Sequence, residues 1–471
     1  MKTTLITIAV SALLAACAAP SAGPAPMAPM DLPAGTRVAP VATTWWTQFG
    51  DAQLNALVDE ALANNRDLAR AMARIDASRA ALRLARADQL PGVNANWSSA
   101  RQRVSQNGTV VLPVGASPIG NDHRATLDIA YEADLWGRYA NGSRAAREEL
   151  LASEYARETL RTALAAQVVQ SYAALQSLDA QRALFGRAVE VQRESLKLQQ
   201  LRFRSGDIAE LDIRQMEAEL IGNEAQLPKL DRARGEAERA LALVLGRTPK
   251  AVVEQPVQRG EQPVAAAGTL PDGLPSDLLL RRPDVQAAEA RLRAAGARVE
   301  AARAAYFPRI ALTASLGRES TELSRLTDAP SLVWGVVASL TQPIWDGGRI
   351  SAQNELARAQ RVEAELDYRD SVANAFREVR DALAAIDETR QSLHSGDERA
   401  KALLRAAELT RLRYQGGEAS RLDVIEAERF ALAAQAARAD AQRALAAAQA
   451  DLFRALGGGW QAPDTRVAAN Q

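Results

Sequence analysis

Two hydrophobic periods alternate along this chain. From Ala52 the apolar residues Leu54, Leu57, Val58, Ala61 and Leu62 recur at helical spacing, and a second helical run from Leu68 to Leu90 is stopped by Pro91. The period then falls to two. Leu127, Ile129, Tyr131, Ala133 and Leu135 alternate with Thr126, Asp128, Ala130, Glu132 and Asp134, and Ile310, Leu312, Ala314 and Leu316 alternate with Ala311, Thr313, Ser315 and Gly317. The pattern predicts strands over about 92–104, 124–136, 309–320 and 332–345. At roughly 3.3 Å per residue such strands are long enough to cross a bilayer at a tilt. In that setting Leu127, Ile129 and Tyr131 form an outward set, and Asp128, Ala130 and Glu132 an inward one. Alternation alone also fits a soluble sandwich. The segments 105–123, which holds His123, and 321–330 read as loops with the unequal lengths of exposed tips.

Helical spacing returns after each strand pair. No proline occurs from Arg138 to Arg204 or from Arg349 to Gln415, 67 residues each. A continuous helix of that length measures about 100 Å, far beyond the usual globular helix, and one chain cannot bury it alone. Turns at Ser205-Gly206-Asp207 and Gly416-Gly417-Glu418 lead into return helices over 210–245 and 421–456. Pro228 kinks the first of these, and its counterpart in the second is Ala439.

The second half re-enacts the first. Arg66-Asp67-Leu68 and Pro91 match Pro283-Asp284-Val285 and Pro308 at an offset of 217. After a slip of six residues, Gly137-Arg138, Arg202–Asp207 and Leu211-Asp212-Ile213 match Gly348-Arg349, Arg413–Glu418 and Leu422-Asp423-Val424 at 211. A unit this long is no solenoid repeat and implies pseudo-symmetry within one architecture. The organisation is then a leader over 1–16, an extended Pro/Ala/Gly tether over 17–44, a first repeat over 45–246, a linker over 247–275, a second repeat over 276–457 and a tail over 458–471.

Composition narrows the chemistry. The 57 basic and 57 acidic side chains cancel, which removes the electrostatic case for nucleic acid. Two histidines, His123 and His394, stand far apart with no cysteine partner, so neither a metal site nor His-based catalysis is expected, and both read as surface residues. Nothing after the leader approaches eighteen uninterrupted apolar residues, so any membrane crossing is made by strands. The leader has Lys2, an apolar stretch from Leu5 to Leu14, and Leu14-Ala15-Ala16 directly before Cys17, the single cysteine. That run resembles the bacterial lipobox, which implies a covalent lipid on Cys17 and no other cofactor. Ala18 in second place implies the outer membrane.

Trp45-Trp46, Leu278-Leu279-Leu280-Arg281-Arg282-Pro283-Asp284, the Gln342–Arg349 junction (QPIWDGGR) and the Arg413–Val424 turn, taken with the duplication, resemble the TolC-like outer-membrane factor family, in its NodT-type efflux lipoprotein branch. The resemblance covers nearly everything from Cys17 to Trp460. It implies a mainly α fold with transmembrane β: a homotrimer whose 12-stranded β-barrel continues into a long periplasmic α-helical barrel. It implies no enzyme but a passive exit duct, serving a periplasmic adaptor protein and an inner-membrane transporter, with the RND type as the expectation. The turns Ser205-Gly206-Asp207 and Gly416-Gly417-Glu418 become adaptor-docking sites. Phe203, Asp212, Tyr414, Asp423 and Glu426 become gate and aperture residues. One departure is visible: Ala419 stands where the family often has an arginine, with Arg421 nearby. The competing reading is a periplasmic helical adaptor or tethering lipoprotein without a pore.

Overall fold

The computed structural model describes residues 42–105, 117–260, 280 and 282–460. The leader, Cys17, nearly all of the tether, most of the 247–275 linker and the tail beyond Trp460 lie outside the described residues. The helices are α1 (Ala52–Asn64), α2 (Arg66–Ala87), α3 (Arg138–Arg204), α4 (Glu210–Glu224), α5 (Gln226–Val244), α6 (Pro249–Glu254), α7 (Pro283–Ala304), α8 (Arg349–Gln415) and α9 (Arg421–Ala455). The strands are β1 (Gly92–Arg103), β2 (Ile119–Ala133), β3 (Arg309–Ser320) and β4 (Leu332–Thr341). No described helix is long and apolar enough to cross a membrane. The described residues form two compact units, one drawn from 75–105, 117–152 and 288–367, the other from 42–74, 153–260, 282–287 and 368–460. Each unit draws on both sequence repeats.

The first unit carries one antiparallel sheet in the order β1-β2-β3-β4. Its register sorts residues by chemistry. Ala95, Leu127, Leu316 and Trp334 lie side by side across the four strands, as do Val93, Ile129, Ala314 and Val336, and then Tyr131, Leu312 and Ala338. This face is apolar yet uncovered: Trp334 is 73% exposed, Val336 72% and Leu127 52%. The other face sets Asn94 beside Asp128, Ser315 and Gly335, and Asn96 beside Thr126 and Gly317. There Asn96 Nδ2 and Thr126 Oγ1 donate to Asp128 Oδ2, at 2.5 Å and 3.1 Å. Gly317 is required by close approach, since a Cβ there would lie 2.1 Å from the Ala125 carbonyl oxygen.

Three strand boundaries differ from expectation, each for a local reason. β2 begins at Ile119 rather than 124, so His123 belongs to the strand and not to a loop, with Nδ1 2.8 Å from Ser99 Oγ. Asn121, Asp122, His123 and Arg124 are polar on both faces, so no period of two marks their extended backbone. β2 stops at Ala133 because Asp134 accepts from the Ala140 N–H at the start of α3, while Trp136 stacks on Phe307 and donates to the Pro308 carbonyl. β4 stops at Thr341, just before Pro343, which has no N–H to extend a ladder.

In the second unit a 3-10 turn, Trp45–Phe49, buries its three aromatic residues, with Trp45 stacked on Phe453 at 4.9 Å. Asp51 caps α1 through Oδ1 and accepts from Tyr172 of α3 through Oδ2. Burial pushes the Tyr172 phenol up to about 12; the Gly260 N–H opposes this and the bond to Asp51 adds to it. Arg259 pairs with Asp179 and Glu238 and so fastens the start of the linker to α3 and α5. Within the segment expected to be pure linker, Thr248 caps the short helix α6. The return helix expected over 210–245 is two helices, α4 and α5, parted at Ala225. Pro228 lacks the N–H that would bond the Glu224 carbonyl, and it sits in the first turn of α5, where that N–H is not needed. Near the end of α9, buried Arg282 donates to the Ala455 carbonyl, to Asp284 and to Glu378.

Candidate functional site

The two turns that end the long helices are built alike. After α3, Gly206 takes a φ of 85°, its N–H bonds the Phe203 carbonyl at 3.0 Å, and the Asp207 N–H bonds the Arg202 carbonyl at 2.9 Å. After α8, Gly417 takes a φ of 77°, its N–H bonds Tyr414 at 3.1 Å, and Glu418 bonds Arg413 at 2.8 Å. This is the Schellman arrangement, in which a left-handed residue returns two N–H groups to the last carbonyls, and glycine adopts it without a Cβ penalty. Ser205 Oγ donates to Asp207 in the first turn, and Arg413 reaches the Glu418 carbonyl in the second.

The helices that follow begin differently. Ser420 and Asp423 form a reciprocal capping box: the Ser420 N–H and hydroxyl donate to Asp423 Oδ2, both at 2.8 Å, and Ser420 Oγ accepts from the Asp423 N–H. The Ser420 N–H, then its hydroxyl, hold the Asp423 carboxyl below the usual carboxylate range. Ala209 stands where Ser420 does in the other repeat, so α4 has no side-chain cap. The sequence signal for this cap is Ser-x-x-Asp at 420–423, and it gives Asp423 a structural duty beside any role in a pore.

The structure brings Tyr414 and Arg421 together, with the guanidinium carbon 5.6 Å from the ring centroid. Arg421 also donates to Ser195 Oγ of α3 at 3.3 Å, while its buried Nε has no partner among the described residues. A guanidinium over an aromatic face contributes on the order of 0.5–2 kcal/mol, depending on desolvation. Ser195 is a contact that no spacing rule pointed to. Phe203, Asp212 and Glu426 are not drawn into this group; among the described residues their side chains carry no hydrogen bond, ion pair or ring contact. Phe203 is 41% exposed and Glu426 is exposed. Leu211 and Leu422, which precede Asp212 and Asp423, are exposed apolar residues that the charge-based reading missed.

A small core holds these ends in place. Val189 and Leu196 of α3 pack with Ile213, Met216 and Leu220 of α4 and Ile425 of α9. Beside it, residues of α3, α4, α8 and α9 line a groove of about 380 Å³, with an apolar floor of Leu184, Val191, Leu404 and Leu432 and the Arg411–Glu428 ion pair at its side. No cluster of metal-ligating side chains occurs among the described residues.

Comparison with known proteins agrees with this architecture. The family model described as "Outer membrane efflux protein" matches residues 57–247 and 274–458. Outer membrane protein OprJ of Pseudomonas aeruginosa is 38% identical over 418 residues, covering 88% of this chain and 86% of that protein. The probable outer membrane lipoprotein SilC of Salmonella typhimurium is 33% identical, with 89% and 88% covered. The crystal structure of the CmeC outer membrane channel of Campylobacter jejuni superposes with a TM-score of 0.86 at 27% identity, covering 95% of this chain and 97% of that one. The chain belongs to the outer membrane efflux protein family, and its fold is that of the outer-membrane efflux channels.

Proposed function

We propose that three copies of this chain close a twelve-stranded barrel in the outer membrane and form a passive exit duct, fed from the periplasm by an adaptor protein and an inner-membrane transporter of the RND type. The observation that carries the reading is the sheet: four strands, an uncovered apolar face, a polar opposite face, and unpaired edges at β1 and β4. A sheet edge cannot remain unpaired in lipid, so β4 of one copy must meet β1 of the next. Two copies would give eight strands and a barrel filled by its own side chains; three give room for a lumen.

In this reading the turns at Ser205-Gly206-Asp207 and Gly416-Gly417-Glu418 receive the adaptor, together with the neighbouring groove. Three-fold symmetry multiplies Glu426 and Asp423 into acidic rings that favour cations at the periplasmic aperture, and Tyr414 with Arg421 holds the second return helix inward. Glu426, without a side-chain partner among the described residues, carries more of the cation preference than Asp423, whose carboxylate is committed to its cap. Cys17 bears the lipid that tethers each mature chain. The test is the mass of the detergent-solubilised particle together with its conductance in planar bilayers: three chains and a cation-preferring channel are expected, and a non-conducting monomer would overturn the proposal.

A further inference from the structure

The outward face of the sheet changes chemistry abruptly at the end away from the helices. Reading along β1, the positions on the apolar face are Val93, Ala95, Trp97, Ser99, Arg101 and Arg103. Trp97 is 59% exposed and closes the apolar band, since tryptophan settles where acyl chains meet headgroups. Arg101 lies four residues further, about 13 Å along the strand, or roughly 10 Å in height at a 40° tilt. That is headgroup depth. The helices all leave from the opposite end of the sheet, after Ala133 and Thr341 and before Gly92 and Arg309, so this end faces outside the cell.

The other arginines near this rim have partners. Arg124, on the polar face, pairs with Glu319 at 3.5 Å. Arg318 shares the outward face, but its guanidinium is spent on the Thr327 and Asp328 carbonyls of the β3–β4 loop. Arg101 and Arg103 are exposed and make no ion pair or side-chain hydrogen bond among the described residues. Two guanidinium groups two residues apart on one face of a strand can fork onto the oxygens of one phosphate or of two neighbouring ones.

We propose that Arg101 and Arg103 bind the phosphate groups of an anionic lipid in the outer leaflet, and so fix the barrel's height and its lipid annulus at the outer surface. The inference rests on the outer-membrane barrel reading above, and its test separates the two. Full-length protein in neutral detergent is titrated with lipid A carrying both phosphates, with the same lipid dephosphorylated, and with inorganic phosphate, while conductance is recorded in phosphatidylcholine bilayers. Wild type should prefer the bisphosphorylated lipid by about tenfold or more, a preference that R101A/R103A loses and R101K/R103K partly keeps. Inorganic phosphate at equal concentration should compete weakly, and conductance should be unchanged in both variants. Equal affinity of wild type and R101A/R103A, or of the two lipid forms, would overturn the proposal, as would conductance lost in R101A/R103A, which would place the arginines in barrel assembly. Absence of conductance in wild type is instead a failure of the channel reading.

Discussion

Placing a charge at Ile129 tests the sheet's orientation most directly. Ile129 occupies the middle of five outward rows, with those of Trp97 and Leu332 at one margin and of Ile310 and Leu340 at the other. Each margin lies four residues away, about 13 Å along the strand, so an arginine at 129 cannot reach either interface without distorting the barrel. Arg at the midplane of a lipid-facing strand costs about 2–4 kcal/mol, and in the proposed trimer three copies make roughly 6–12 kcal/mol if the sites are independent. That rivals the whole stability of an ordinary domain, so Ile129→Arg should leave little folded barrel. The next residue is the control. Ala130 lies on the polar face, on the same side as Asp128 and Glu132, and Glu132 already holds Arg138 and Tyr139. Asp128, which has no cationic partner among the described residues, offers Ala130→Arg a counter-charge, and that substitution should cost at least about 2 kcal/mol less. The assay is guanidine unfolding of protein reconstituted in vesicles, followed by tryptophan fluorescence, beside the fraction of oligomer that survives unheated electrophoresis. Equal cost at 129 and 130 would refute the assignment of faces and with it the membrane-spanning sheet.

Glu426→Gln should lower cation selectivity, read as reversal potential in asymmetric salt, more than Asp423→Asn does; the reverse order would show that the capping carboxylate is the one facing the pore. Because the folded Asp423 carboxyl is held below its usual range, its capping contribution is complete above the unfolded carboxylate pKa and fades as pH falls through the lowered folded value. Asp423→Asn should then remove part of the acid sensitivity of helicity. Tyr414→Ala and Arg421→Ala should each raise the open fraction of single channels, and the double variant should add little if the two act as one contact. Arg282→Ala leaves the Ala455 carbonyl and the partly exposed Asp284 and Glu378 carboxylates without their buried partner and should cost about 1–3 kcal/mol in thermal or denaturant unfolding, with conductance intact in the folded fraction.

The parts of this fold that were legible in the sequence share a physical cause: a long, uninterrupted pattern with unambiguous stops. Proline-free spans ended by glycine read directly as α3 and α8, and the alternation at Leu127–Tyr131 and Ile310–Leu316 read directly as paired strands. The residues that escaped notice lie where two environments meet. Beyond the apolar rows polar residues occupy both faces of β2, so the strand from Ile119 to His123 carries no period. Ser195 and Arg421 meet across 226 positions, and no local rule connects residues of α3 and α9. Leu211 and Leu422 carry no signal of their own in the sequence, because an apolar residue in the first turn of an amphipathic helix reads as core until its exposure is seen.

The duplication explains why the second turn, rather than the first, carries the richer set of contacts. Both repeats keep the backbone device, a left-handed glycine returning two N–H groups at 206 and at 417, so the geometry of the hairpin does not depend on its side chains. What differs is how each return helix starts and continues. α4 begins without a side-chain cap and gives way at Ala225 after 15 residues, whereas α9 begins with a capping box and runs unbroken for 35. Motion imposed on the tip of α4 can be absorbed at the break, because a helix parted by proline bends there at little cost. Motion imposed on α9 has no such outlet within the helix and must be carried along its length. In the proposed channel a contact at the start of α9, such as Arg421 on Tyr414 and Ser195, would therefore act on a rigid lever. The same contact at the start of α4 would control only its first four turns.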